Sequence, residues 1–147
     1  MANATLRELR RIIGDKTGDL LVLQATAASA GTTDFTDFAH LADRETRAAS
    51  IVKKLLYFSA GTPTNLQHEA AITDYNGTTR TITFSPGANA APAIDDEAEI
   101  WSVAERIGSI GALHRLINYA IQQVEDEAGT EEYDSAQTFD ARTGTLT

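Results

Sequence analysis

The chain contains no cysteine among its 147 residues, which excludes disulfides, thiolate zinc sites and cysteine nucleophiles. It also lacks any run approaching the roughly 18 apolar residues of a membrane-spanning helix. Its first hydrophobic patch is interrupted by Arg7, Glu8, Arg10 and Arg11, unlike the apolar block of a signal peptide. We therefore expect a protein that is made in the cytosol, is soluble until it assembles, and has no membrane partner.

Basic residues are scarce, since 12 lysines and arginines face 21 acidic residues and the formal net charge is −9. A duplex-binding surface usually needs a basic face, so nucleic acid is disfavoured as the main partner. One basic strip stands out near the start: Arg7, Arg10, Arg11 and Lys16. We interpret it as a solvated or interface face of a helix, with nucleic-acid contact as the alternative. The length favours one domain plus tails.

Motifs for catalysis or metal binding are largely missing. His40, His68 and His114 are far apart and follow no ligand or triad spacing, and His114, one residue after a core position of its helix, is expected at the boundary between core and solvent or in solvent. Residues 95–97 (Asp-Asp-Glu) could bind a hard cation, but a solvated turn fits three consecutive side chains better. Residues 14–17 (Gly-Asp-Lys-Thr) resemble the end of a phosphate loop, yet Asp15 would repel phosphate. We expect a protein that is not an enzyme, with no catalytic, cofactor-binding or metal-binding residue.

Residues 72–84, ITDYNGTTRTITF, predict a β-hairpin. Asn76-Gly77 between two alternating runs favours a two-residue type I′ turn, because both types tolerate positive φ. The alternation places Ile72, Ile82 and Phe84 on the buried face. The threonine-rich opposite face, which includes Tyr75, is expected to be wet or covered by a neighbour.

Helical spacing of apolar residues predicts a first helix over 4–14, with Thr5 as N-cap, Glu8 as its capping-box partner and Gly14 at the end. Residues 20–24 predict a strand, although they could also extend this helix. Further strands are expected over 33–38, 53–58 and 97–103, and residues 43–56 could be helical by composition.

A second amphipathic helix is predicted over 109–126, followed by an extended tail over 129–147 whose apolar residues have no period. We therefore predict an α+β fold in one domain, residues 1–128. It consists of a small antiparallel sheet or barrel of about five to six strands, flanked by an N-terminal and a C-terminal helix. The interface candidates are Arg7, Arg10 and Arg11 in the first helix and Tyr133, Phe139 and Leu146 in the tail.

The stretch AAITDYNGTTRTITFSPGANAAPAIDDEAEIW resembles a module of tailed-bacteriophage virion proteins. In that module a Thr-Asp-Tyr strand turns through Asn-Gly into a threonine-rich strand that ends in Ser-Pro, followed by an Ala-Pro loop, an acidic turn and a last strand. The corresponding parts of this chain are 73–75, 76–77, 78–84, 85–86, 91–92, 95–97 and 99–101. The likeness covers 70–103, whereas 44–54 departs from the family pattern.

The resemblance implies a structural part of a virion, made in the host cytoplasm. Because a small sheet with amphipathic helices at either end offers surfaces for identical neighbours, we expect a neck or adaptor subunit. Its partners would be copies of itself in a ring and the portal or other neck and tail proteins, with at most incidental contact with packaged DNA. The alternative is a capsid-decorating, fibre-anchoring or receptor-binding module.

Overall fold

The computed structural model describes residues 5–41, 48–102 and 108–143. Side chains are described for residues 5–41, 50–102 and 108–127. The elements, in chain order, are α1 (Leu6–Thr17), β1 (Leu20–Gln24), β2 (Asp34–Thr36), α2 (Ala48–Ile51), β3 (Leu55–Ala60), a 3₁₀ turn (Pro63–Asn65), β4 (Glu69–Asn76), β5 (Thr81–Ser85), β6 (Glu97–Trp101) and α3 (Ile110–Thr143).

The six strands form one antiparallel sheet in the order β1-β6-β3-β4-β5-β2. The predicted α+β class is thereby confirmed. The predicted strands are present as well, two of them in the hairpin and one in each of the four other predicted segments. The sheet is open and does not close into a barrel. The two edge strands, β1 and β2, approach each other at one end, where the Gln24 amide donates to Asp37 and Ala27 and Thr36 form an isolated bridge.

The inner face of the sheet carries the larger core, to which all six strands contribute. Phe58 packs edge-on against both Phe35 and Phe84, with ring centroids 5.8 and 5.7 Å apart. Ile72, Ile82 and Phe84 are buried here, as the alternation of the hairpin predicts. Strands from both ends of the sheet share this cluster, so the sheet curls around it.

The outer face of the sheet is covered by α1 and the beginning of α3. Trp101 and Tyr57 from the sheet pack against Ile110, Leu113 and Ile117 of α3. In α1, the capping box of Thr5 and Glu8 is present, as predicted. The two buried residues of this helix are Arg10 and Gly14. The apolar residues Ile12 and Ile13 of this helix are 55% and 38% exposed.

Gly14 does not end the first helix as predicted. The helix continues to Thr17, and Gly18 caps it with a left-handed φ of 71°. Gly14 is required for packing, because a Cβ built there would lie 2.6 Å from both Leu20 Cβ and Trp101 Cη2. The glycine lets the helix lie directly against the indole ring.

The hairpin between β4 and β5 exists, but its predicted type I′ turn is wrong. The last pair is Asn76 with Thr81, so residues 77–80 form the loop. Asn76 Oδ1 accepts hydrogen bonds from the amides of Thr78 and Thr79, and Arg80 takes the left-handed conformation with φ 50°. The side chain of Asn76 thus organises a longer loop than the dipeptide signal implies.

Tyr75 lies on the other face from the one predicted. The register between β4 and β5 shifts between Ile72 and Asp74, which marks a β-bulge. An extra residue in one strand reverses the alternation beyond it. Tyr75 therefore joins Ile72 in the inner core and is only 5% exposed.

The last helix is longer than predicted. It runs from Ile110 to Thr143, where an extended tail from residue 129 was expected. The lack of an apolar period after Val124 argues against burial, but it does not argue against helix, since Glu, Ala and Gln in this stretch are good helix formers. Residues 144–147, with Leu146, lie outside the described part of the chain.

Candidate functional site

An apolar groove runs between α1 and α3 on the outer side of the sheet. Its volume is about 350 Å³. One wall comes from α1 and the other from α3, and Glu125 is the only ionisable residue of the lining: Leu9, Ile12, Ile13, Ile117, Ala120, Ile121, Val124 and Glu125. Such a lining suits an apolar partner and offers few groups for chemistry.

The groove is open to solvent, and the exposure of its lining residues increases along α3. Ile117 is 6% exposed, whereas Ile121 is 38% and Val124 65% exposed. From residue 118 to 127 every side chain of α3 is exposed. Leu116 and Tyr119 are also 56% and 62% exposed, but helical spacing places them on other sides of α3 than Ile117, Ile121 and Val124. The exposed apolar residues of the groove lining form the kind of surface that is typical of an interaction site.

A buried ion pair fixes α1, and with it one wall of the groove. Arg10 Nε and Nη2 each donate to Glu99 at 2.9 Å, in a two-pronged contact. The side chain of Glu99 is 0% exposed and that of Arg10 4%. Glu99 also accepts from Arg11 Nε at 3.0 Å and from Trp101 Nε1 at 2.9 Å. Both carboxylate oxygens therefore have two donors, which offsets the loss of water.

A second carboxylate extends the network to the surface. Glu97 accepts hydrogen bonds from Arg7, Arg11 and, at 2.8 Å, from Ser59 Oγ. Burial raises the pKa of Glu99, but its bonds to Arg10, Trp101 and Arg11 outweigh this effect, so the pKa lies below its ordinary value. For Glu97 burial likewise raises the pKa, and its bonds to Ser59, Arg11 and Arg7 bring it below the ordinary value.

His114 connects this network to α3. Its Nε2 lies 2.7 Å from Arg10 Nη1, and its ring meets Tyr57 edge-on at a centroid distance of 6.3 Å. Arg10 also lies over the Tyr57 ring, 4.7 Å from its centroid. His114 is half-buried, which agrees with the predicted boundary position. Arg10 thus contacts β6, β3 and α3 at once.

The three arginines predicted as interface residues form ion pairs with glutamates of the same chain. Arg10 is buried, so its prediction as a solvated or interface residue is wrong. Arg7 and Arg11 remain 43% and 28% exposed, and both are bonded to Glu97. Tyr133 and Phe139 lie in α3, but their side chains and all of Leu146 lie outside the described residues.

Sequence reasoning missed Glu99, the centre of the network. In β6 Glu99 stands between Ala98 and Ile100, and this lone glutamate between apolar neighbours was the available signal for a buried partner. The prediction that residues 95–97 form a solvated turn is also wrong for the middle residue, Asp96. Asp96 is 2% exposed, and its carboxylate accepts from the Thr62 amide and hydroxyl and the Ala93 amide.

Within the described residues, no group of three or more His, Cys, Asp or Glu side chains could hold a metal ion. In the same part of the chain, no helix has the length and hydrophobicity to cross a bilayer. No protein-family model matches this chain, and neither the curated proteins nor the solved structures contain a match. The candidate site is therefore defined by the chain's own residues: the apolar groove and the ion network that holds its α1 wall.

Proposed function

We propose that this chain is a structural subunit of a tailed-phage virion, most specifically a neck or adaptor subunit that forms a ring and docks on the portal. The observation that carries the proposal is the open apolar groove between α1 and α3, with Ile12 and Val124 55% and 65% exposed. The likeness of residues 70–103 to virion modules supports the same role. Neither feature calls for catalysis.

A neighbouring copy of the chain is the occupant that suits the groove best. Two helices already form its walls, and Ala120 leaves room on the α3 side, so a third helix could pack ridge into groove. Contacts between different faces of identical chains generate rings when the rotation closes. Exposed acidic residues Glu125 and Glu127 lie on α3, and the exposed base Lys16 lies on α1, so a head-to-tail contact between copies can pair opposite charges.

The test is the molar mass of the purified protein by light scattering, alone and with the portal protein of the same virus. We expect a ring of many subunits, alone or on the portal. Val124→Glu should abolish this assembly and leave thermal melting nearly unchanged, because the side chain is 65% exposed. Asn118→Glu is the matched control, since it adds the same charge on α3 outside the groove and should leave assembly intact.

Other outcomes contradict the proposal. A monomer that ignores the portal would refute the neck role, and binding of that monomer to empty heads at many sites would indicate a capsid decoration. Assembly that survives Val124→Glu would show that the ring uses another surface.

A further inference from the structure

The contact between Arg10 and His114 defines the protonation state of the histidine. All guanidinium nitrogens are donors, so Arg10 Nη1 donates and His114 Nε2 accepts over 2.7 Å. A nitrogen that accepts carries no proton, and His114 is therefore neutral with its proton on Nδ1. A protonated His114 would direct an N–H toward a cation.

Within the described part of the chain, one cation contacts His114 and two carboxylates act on it through their charge. Arg10 faces it from α1, Glu99 from β6, Glu69 from β4 and the Tyr57 ring from β3. On its own helix the neighbouring base is Arg115. Glu99 is already bonded to Arg10, Arg11 and Trp101, so it has no lone pair directed at the histidine. Among the residues that the structure describes, no carboxylate forms a hydrogen bond with His114 that would compensate a charge on it.

We propose that His114 is a proton-sensitive latch that holds the start of α3 against α1 and the sheet. In the neutral form it accepts from Arg10 and packs on Tyr57. When it gains a proton it loses this acceptor and places a second positive charge beside buried Arg10, so the first turns of α3 separate from α1. Acidification thereby opens the α1–α3 groove. The inference concerns the single chain and does not rest on the proposed virion role.

The pH window follows from the direction of the shift. Burial, and then the charge of Arg10, lower the pKa of His114 below its ordinary value of 6.5. The unfolded chain therefore binds this proton more readily than the folded chain, and stability falls as the pH drops through about 6.5. The lowered pKa values of Glu97 and Glu99 remove stability only below the ordinary carboxylate value of 4.5. The loss of stability caused by His114 therefore begins at a higher pH than the loss caused by Glu97 and Glu99.

The first test uses the single tryptophan. Trp101 is 1% exposed and packs in the same cluster as Ile110, Leu113 and Ile117 of α3, so release of the helix should shift its emission to longer wavelength. We expect this shift in the wild type between pH 7 and pH 5. It should be absent in His114→Gln, because the amide oxygen can accept from Arg10 without titrating. His68→Gln is the matched control and should keep the transition. An equal transition in His114→Gln, or none in the wild type, would overturn the proposal.

A second measurement does not depend on a variant at the latch. In the double variant His40→Gln, His68→Gln, His114 is the only histidine, since the chain has three. Its ring protons can then be followed by NMR against pH. A titration midpoint below 6.5 that coincides with the fluorescence transition supports the latch. A midpoint at or above 6.5 would overturn it.

Discussion

Replacing Glu99 with glutamine should destabilise the fold strongly, although the side chain keeps its shape. Glu99 accepts four hydrogen bonds, from Arg10 Nε and Nη2, Arg11 Nε and Trp101 Nε1. A glutamine presents one oxygen and an NH₂ group, so about two of these donors lose their acceptor. Hydrogen bonds to a charged group contribute about 1.5–3 kcal/mol each. Arg10 would also remain buried without its counter-charge.

From these losses we expect a decrease of about 3–5 kcal/mol in the free energy of unfolding, which is the range for breaking a buried ion pair from one side. This corresponds to a fall in Tm of roughly 10–20 °C for a chain of this size. The assay is urea denaturation at pH 7, with the slope m compared between variants so that a change in midpoint reports stability.

The control is Glu97→Gln, the same chemical change in the same strand. Glu97 is 24% exposed and its partners Arg7 and Arg11 are 43% and 28% exposed, so the loss should be about 1 kcal/mol or less. The double variant Arg10→Met, Glu99→Leu should be more stable than Glu99→Gln. It removes both charges of the pair, whereas Glu99→Gln leaves the charge of Arg10 buried without a partner. Equal losses in Glu99→Gln and Glu97→Gln would refute the reasoning that burial makes the difference.

Two further predictions concern the helices. Gly14→Ala should destabilise by about 1–3 kcal/mol through overpacking, despite the better helix propensity of alanine, because the new Cβ would lie 2.6 Å from Trp101 Cη2. Gly111→Ala is its control, since the nearest atoms are 3.8 and 3.9 Å away, and it should leave thermal melting unchanged or slightly raised. Deletion of residues 129–147 should leave the Tm nearly unchanged and lower assembly, because no described side chain of α3 after Ile117 is buried. A loss of cooperative melting would show that this segment belongs to the core.

The groove was accessible to sequence reasoning only in part. The helical spacing of Leu9, Ile12 and Ile13 was visible, as was that of Ile117, Ile121 and Val124. An apolar period predicts that a face is covered, but it does not say by what. In α1 the spacing indicates an apolar face that needs a partner surface, but the residues of the helix that are buried are Arg10 and Gly14.

The sequence by itself determined the local features of this protein: the capping box of α1, the presence of the hairpin, the strands and the apolar face of the last helix. These features depend on residues a few positions apart, so their signals are contained in short windows. It also determined Ile72, Ile82 and Phe84 as core residues, because alternation within a strand is a local property.

Only the tertiary structure decided the roles of Glu99, Arg10 and Gly14, and the face on which Tyr75 lies. Glu99 and Arg10 are 89 positions apart in the chain, and no local pattern specifies which distant charge a buried carboxylate meets. Gly14 is needed because the side chain of Trp101, from β6, packs directly against the helix at this position. Tyr75 turned inward because the pairing of β4 with β5 introduced a bulge. In each case a partner from another element changed what the local sequence alone would favour.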